Sequence, residues 1–236
     1  MALRNFFCLS KENKEEVIEN LVQKSYPRTS FYVLIILASF IGAIGLIINN
    51  VIIIIGSVLI APILYPIIFL GMNVVLYNFK VLQKTILNIV RLTILGILIG
   101  FFTTVLLKPF VGPEEASFFQ KIPVLPFFYV AVGSGLAASF AIAKKSLQES
   151  LPGVAVSISL IPPLTNIGVA LASKKFSIAV TSLQLFIINI FGIIFSAIVI
   201  FSLMGFVTER KTVRSALKKE SKKDLKDLND LDKMED

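Results

Sequence analysis

Asn88 and Asn189 are the side chains best suited to grip a polar solute, because each sits in a long apolar stretch and carries both a donor and an acceptor. They lie six residues past Leu82 and Leu183, which predicts a depth of roughly 9 Å inside opposite membrane faces. The competing role for each is an interhelical hydrogen bond, worth around 1 kcal/mol. Arg91 follows one turn beyond Asn88 and is the one full charge placed well inside a predicted span. Three roles are open to it: snorkelling to headgroups, lining a watery cavity that attracts an anion, or bonding to freed helix carbonyls.

A second set surrounds paired prolines. One segment carries Ser57, Pro62 and Pro66; the other carries Ser159, Pro162, Pro163, Thr165 and Asn166. Proline removes an N–H and clashes with the carbonyl one turn back, so each segment must break its helix. At membrane depth the freed carbonyls need a neighbouring helix, a hydroxyl or water. Either the two breaks form a binding site, or they are packing kinks satisfied by nearby Ser and Thr.

Much chemistry is absent. The chain has no histidine and one cysteine, Cys8. That leaves no imidazole base, no thiol cluster and no intrachain disulfide, so no catalytic residue, metal site or cofactor is expected. No Asp or Glu falls in a predicted span. Proton coupling through a buried acid is therefore not expected; a coupling ion, if used, would be held by carbonyls, hydroxyls and amides.

The elements that position these residues are long apolar stretches. Of 236 residues, 56% are hydrophobic and 16% charged, with a mean hydropathy of +0.84. A soluble domain carries roughly 25% charged residues. Apolar runs at 31–48, 51–76, 82–107, 122–143, 151–172 and 176–206 predict an all-α polytopic membrane protein with about six transmembrane helices, the second and fifth broken by proline. The start of the chain does not read as a secretory signal, and the first span is expected to target the chain itself. Within the polar segment 1–30, Val17, Ile18, Leu21 and Val22 share one helical face, suited to a helix on the membrane surface or to a solvated one. The charged tail, 207–236, is expected to be disordered, with a weak amphipathic helix as the alternative. With the N-terminus inside, eighteen Lys and Arg fall on inner segments against four outside, which predicts both termini in the cytoplasm of a cell-membrane protein. The net charge of +8 thus points to anionic lipid headgroups rather than to nucleic acid.

The two halves also resemble each other. At an offset of 101 residues, Pro62 meets Pro163, Leu82-Gln83 meets Leu183-Gln184, and Asn88-Ile89 meets Asn189-Ile190; at 100, Ala38-Ser39-Phe40 meets Ala138-Ser139-Phe140. The halves, 31–107 and 122–206, hold three spans each and are joined by an outer loop at 108–121. An odd number inserts the second copy upside down, predicting a 3+3 inverted repeat, the arrangement used for alternating access.

Ile55 to Ile67, IGSVLIAPILYPI, resembles the IGAMLIAPLMGPI stretch of the family called domain of unknown function 389. Leu151 to Ala170, LPGVAVSISLIPPLTNIGVA, is similar to that family's second signature. The resemblance covers roughly residues 25–172 and implies an integral membrane fold without naming a substrate. Leu64-Tyr65 departs from the Met-Gly of many relatives, and a tyrosine there would narrow a cavity. Some relatives carry a soluble N-terminal domain that is not seen in this sequence.

These features fit a small transporter or channel for a polar or anionic solute, with the path between the broken helices and a homodimer as one way to widen it. The alternative is a non-transporting scaffold or sensor that recruits cytoplasmic partners through its basic tail.

Overall fold

The computed structural model describes residues 9–26, 28–110, 124–151, 153–154, 160–209 and 211–221. All regular elements among them are helical. Four helices are long and apolar enough to cross a membrane, or five if one bent pair counts as a single span. They are α2 (Thr29–Ile47), the bent pair α3 (Val51–Ile60) and α4 (Leu64–Val75), α5 (Phe79–Leu107), α6 (Val124–Ala143) and, after the short α7 (Ile161–Ala172), α8 (Phe176–Leu203). Two polar helices, α1 (Lys11–Ser25) and α9 (211–221), flank the bundle.

The bundle buries a set of polar side chains within a mainly apolar core and is apolar outside. Ser39, Ser57, Asn73, Thr165, Asn166, Ser182 and Ser196 are buried, whereas Ile52, Phe102, Phe191 and Phe195 face outward, Ile52 at 80% exposure. Such an outer surface is untenable in water but natural against hydrocarbon. The chain is thus membrane-embedded.

The break between α3 and α4 bends the pair by 52° at Ala61-Pro62-Ile63. Ala61, which precedes the proline, is extended (φ −80, ψ 120), as the steric demand of the pyrrolidine ring requires. Pro66 does not add to the break: it occupies the first turn of α4, where a missing N–H is harmless. Pro162 and Pro163 likewise open α7 instead of kinking its middle. At 12 residues, α7 is about 18 Å long and too short to cross alone. The backbone is helical at 151 and 153–154; the predicted continuation through 155–159, including Ser159, and the loop 111–121 lie outside the described residues.

Three turns close alike. The N–H groups of Asn50, Asn78 and Lys175 donate to the carbonyls of Gly45, Asn73 and Ala170 at 2.8, 3.2 and 2.8 Å, and the preceding residues Asn49, Tyr77 and Lys174 are left-handed, with φ of 55, 52 and 60°. This is the six-to-one capping bond that ends many helices, here without the usual glycine.

The last two turns introduce hairpins with matching packing. Gly71 in α4 seats against α8, where an added Cβ would lie 2.6 Å from Ala197 Cβ and 3.0 Å from the Ile194 oxygen. Gly168 in α7 seats against α5, where an added Cβ would meet the Ile97 oxygen and lie 2.6 Å from the Phe101 nitrogen. Thr85 donates to the Val81 carbonyl and Ser182 to that of Ile178, at 2.9 and 2.8 Å. All these correspondences run at an offset of 97 residues, not the 101 read from the sequence. The difference of four is about one helical turn, so either register brings the same faces together.

The polar helices correct two expectations. Ser10 caps α1 by accepting from the Asn13 N–H at 3.2 Å. Its face of Val17, Ile18, Leu21 and Val22 packs into the bundle core with Phe206, Val213 and Ala216, so it meets protein instead of lipid surface or water. Over 211–221 the tail is helical and docked, because Val213 and Ala216 fall on one face and Glu220 pairs with Arg28. Residues 222–236 lie outside the described set. Together α1 and α9 cap one end of the bundle. There Lys14 Nζ donates to the Gly205 carbonyl beyond α8 at 2.7 Å, and Lys24 lies over the Tyr65 ring at 4.9 Å. Tyr65, the departure from the relatives' pattern, thereby fastens α1 to the start of α4.

Candidate functional site

α4 and α7 both begin at the prolines, and neither receives a side-chain cap. The first N–H groups of an α-helix have no intrahelical acceptor, but the prolines thin them out: Pro66 removes one from α4, and in α7 Pro162 and Pro163 carry none while the Leu164 N–H donates to the Leu160 carbonyl at 3.3 Å. What both half-helices share is the positive end of the dipole.

Two polar side chains in α7 carry buried oxygens without a partner. Thr165 is wholly buried and its Oγ1 has no partner. Asn166 donates through Nδ2 to Ser182 Oγ at 2.7 Å, while its Oδ1 stays unsatisfied. Asn73 in α4 shows the same split: Nδ2 donates to the Phe69 carbonyl at 2.8 Å and Oδ1 is without a partner. The Ser39 and Ser139 hydroxyls are also buried and unpartnered, with Ser39 Oγ 3.2 Å from where a Cβ on Gly96 would sit. An unsatisfied buried polar atom is costly and commonly marks a water or ligand position.

The other predicted residues divide. Ser57 is buried and donates to the Ile54 carbonyl of its own helix at 2.7 Å, with its Oγ against Gly42. Pro62 makes the break; Pro66, Pro162 and Pro163 are buried starters of half-helices. Asn88 and Asn189 are both buried but not equally deep. They lie nine and thirteen residues into α5 and α8, about 14 and 20 Å from the helix starts. At the 97-residue offset their counterparts are Leu185 and Leu92. Counted from the helix starts, the two asparagines therefore do not occupy equivalent positions.

Asn88 instead joins Arg91. Both line a cavity of about 500 Å³ at the capped end, with Lys80, Lys84, Thr85 and Phe69 on the bundle side, Ser25 and Tyr26 from the end of α1, and Leu217 and Ser221 from α9. Tyr32 Oη donates to Asn88 Oδ1 at 3.4 Å, long for such a bond. Arg91 is exposed and makes no hydrogen bond or ion pair among the described residues. Of its three open roles, bonding to broken-helix carbonyls is thus not the one adopted. Asn189 is not among the described residues of this cavity wall.

Sequence reasoning missed Lys80, Lys84, Ser25, Ser39, Ser139 and Asn73. Positions 80, 84, 88 and 91 form a stripe at helical spacing, a signal available in the sequence. Ser39 and Ser139 were visible only as a repeat match, and Ser25 carried no signal because its neighbours in the cavity are remote in the chain.

A helical bundle with an apolar outer face, a bent helix pair and several helices long enough to cross a bilayer defines a polytopic membrane protein. The chain belongs to the family described as Domain of unknown function (DUF389), whose pattern matches residues 58–195, from α3 to α8. It is similar to an uncharacterized protein of Methanocaldococcus jannaschii, 28% identical over 177 residues, covering 73% of this chain and 53% of that one. The chain thus spans about half the length of that relative. No solved structure matches it.

Proposed function

We propose that this chain is a small transporter or channel for a polar or anionic solute, built from about six spans as a 3+3 inverted repeat around broken helices. The observation that carries this reading is the pair of half-helix starts, α4 at Leu64 and α7 at Ile161, which offer the positive ends of their dipoles although their prolines leave few free N–H groups. Such starts in discontinuous helices hold anionic groups of substrates in other transporters. The unpartnered Thr165 and Asn166 oxygens and the matching glycine seats of Gly71 and Gly168 support it. α5 begins at the capped end, beside α1 and α9, and α8 finishes there, with Gly205 bonded to Lys14. That opposite sense of α5 and α8 supports the inverted reading. The capped end, which carries the excess of Lys and Arg, is assigned to the cytoplasm of a cell membrane.

In this reading Pro62, Pro162 and Pro163 keep the half-helices open, Thr165, Asn166 and Asn189 line the interior path, and Asn88 and Arg91 face the cytoplasmic entrance. The recruiting-scaffold alternative needs a presented tail, and over 211–221 the tail is instead folded onto the bundle, which favours the carrier reading. No catalytic role is proposed.

The test has two arms. A panel of anions, cations and metabolites is screened for thermal stabilisation of the purified chain and then for uptake into proteoliposomes. Stabilising solutes should be taken up, and Asn166→Ala with Asn189→Ala should abolish uptake; solutes that stabilise but never cross, or uptake unaffected by both changes, would remove the site assignment. Independently, cysteines placed at Lys80 and Lys174 should label from opposite sides of the bilayer, and labelling from one side overturns the inverted arrangement.

A further inference from the structure

The cavity at the capped end has a lining whose chemistry is specific enough to name a ligand class. Three cations on one stripe of α5, Lys80, Lys84 and Arg91, meet in about 500 Å³, and no Asp or Glu is among its described lining residues. The acids nearby are engaged elsewhere: Glu220 holds Arg28 and Glu19 holds Lys219 at 2.6 Å. Like charges gathered without counter-charges repel one another, so a bound anion would relieve the wall.

A second observation is independent of charge. Ser25, at the last turn of α1, is only 6% exposed, its hydroxyl has no partner, and it sits in the wall of this cavity. A buried hydroxyl without a bond is a donor in waiting. Asn88 adds another: Tyr32 occupies its Oδ1, leaving the amide hydrogens to give. Guanidinium, ammonium, hydroxyl and amide donors around one space match a tetrahedral oxyanion with several acceptor oxygens.

We propose that this cavity binds a phosphate group, held by Lys80, Lys84 and Arg91 with Ser25 and Asn88 as neutral donors. The proposal deepens the anionic-solute reading at Asn88 and Arg91, yet it is read by binding alone. Phosphate bound but never moved would sink transport and leave this site standing. The phosphate has two possible sources. Val22, Phe69 and Leu217 give the cavity apolar walls, and the neighbouring α5 surface of Ile86 and Val90 is exposed, which suits an acidic phospholipid headgroup with its chains in the bilayer. A free phosphate or phosphomonoester would use the same donors.

The experiment measures thermal stabilisation and affinity of the full chain in two formats. Inorganic phosphate is titrated in neutral detergent against chloride at equal ionic strength, and phosphatidylglycerol is compared with phosphatidylcholine in nanodiscs. A shift with phosphate in detergent supports a free anion; a shift with phosphatidylglycerol alone supports a headgroup. Lys84→Gln with Arg91→Gln should weaken whichever is seen by about tenfold or more, while Lys175→Gln, at the start of α8, should leave it unchanged. Because the double variant removes two charges and could disturb folding, Ser25→Ala serves as the gentle probe: unliganded melting should hold while affinity drops several-fold. No shift from either ligand overturns the proposal, as does unchanged affinity in both Ser25→Ala and the double variant.

Discussion

Tyr77 and Lys174 do the work of glycine at two helix ends, at φ of 52 and 60°. A side chain in the left-handed region costs about 1–2 kcal/mol, partly offset in glycine by its larger unfolded-state freedom. Tyr77→Gly and Lys174→Gly are therefore each expected to stabilise the chain by about 0.5 kcal/mol, read as a higher midpoint in denaturant unfolding in detergent. Thr165 poses a different question at the same scale. Its hydroxyl is buried and unpaired, so Thr165→Val removes an unsatisfied group at constant shape. Stability is expected to hold or rise by about 1 kcal/mol while solute uptake falls; lost stability with intact uptake would show that the hydroxyl serves packing alone.

At the scale of elements, the glycine seats decide how close α4 and α7 come to α8 and α5. An alanine at Gly168 would run into backbone atoms of α5, and one at Gly71 into Ala197 and the Ile194 carbonyl. Backbone cannot swing aside as a long side chain does, so each change is expected to cost about 1–3 kcal/mol. Gly133, where a Cβ would meet nothing within 4 Å, is the control: Gly133→Ala should be neutral or slightly stabilising. Melting temperatures of the three variants in one detergent give the comparison. The break itself depends on Pro62. Pro62→Ala restores an N–H and frees Ala61 from its extended conformation, so α3 and α4 should straighten and solute uptake should fall although the chain still inserts.

Across the whole molecule, α1 and α9 come from opposite ends of the chain yet close one end of the bundle. Arg28 and Glu220 are both under a third exposed, so the pair is shielded from solvent more than a surface bridge. Glu220→Gln should cost about 1–2 kcal/mol and loosen α9, read as faster amide exchange over 211–221. Lys219 with Glu19 is the contrast. The hydrogen bond to Glu19, and then its charge, raise the lysine above its usual pKa of 10.5. A raised lysine contributes below its unfolded pKa and loses that contribution as pH climbs through the folded one. Any stabilisation from this exposed pair should therefore be present at neutral pH and vanish only in strong alkali, and Lys219→Gln should leave melting nearly unchanged.

Local physics made much of this legible in the amino-acid order alone. Apolar runs longer than a bilayer is thick declare the solvent, and Pro62 declares the bend between α3 and α4 because a missing N–H acts on its own helix. The family follows from those same segments. Helical periodicity placed Val17, Ile18, Leu21 and Val22 on one face but could not say what that face meets, since protein core, lipid and water all accept or reject it through partners elsewhere. Register between the halves was hard to read for a similar reason: slipping one turn leaves the helix faces nearly in place, and it takes the turns ending at Asn78 and Lys175 together with the seats of Gly71 and Gly168 to favour 97 over 101. The cavity that joins Ser25 to Lys84 and Arg91 belongs to tertiary structure entirely, because it exists only once α1 and α9 have docked against α5.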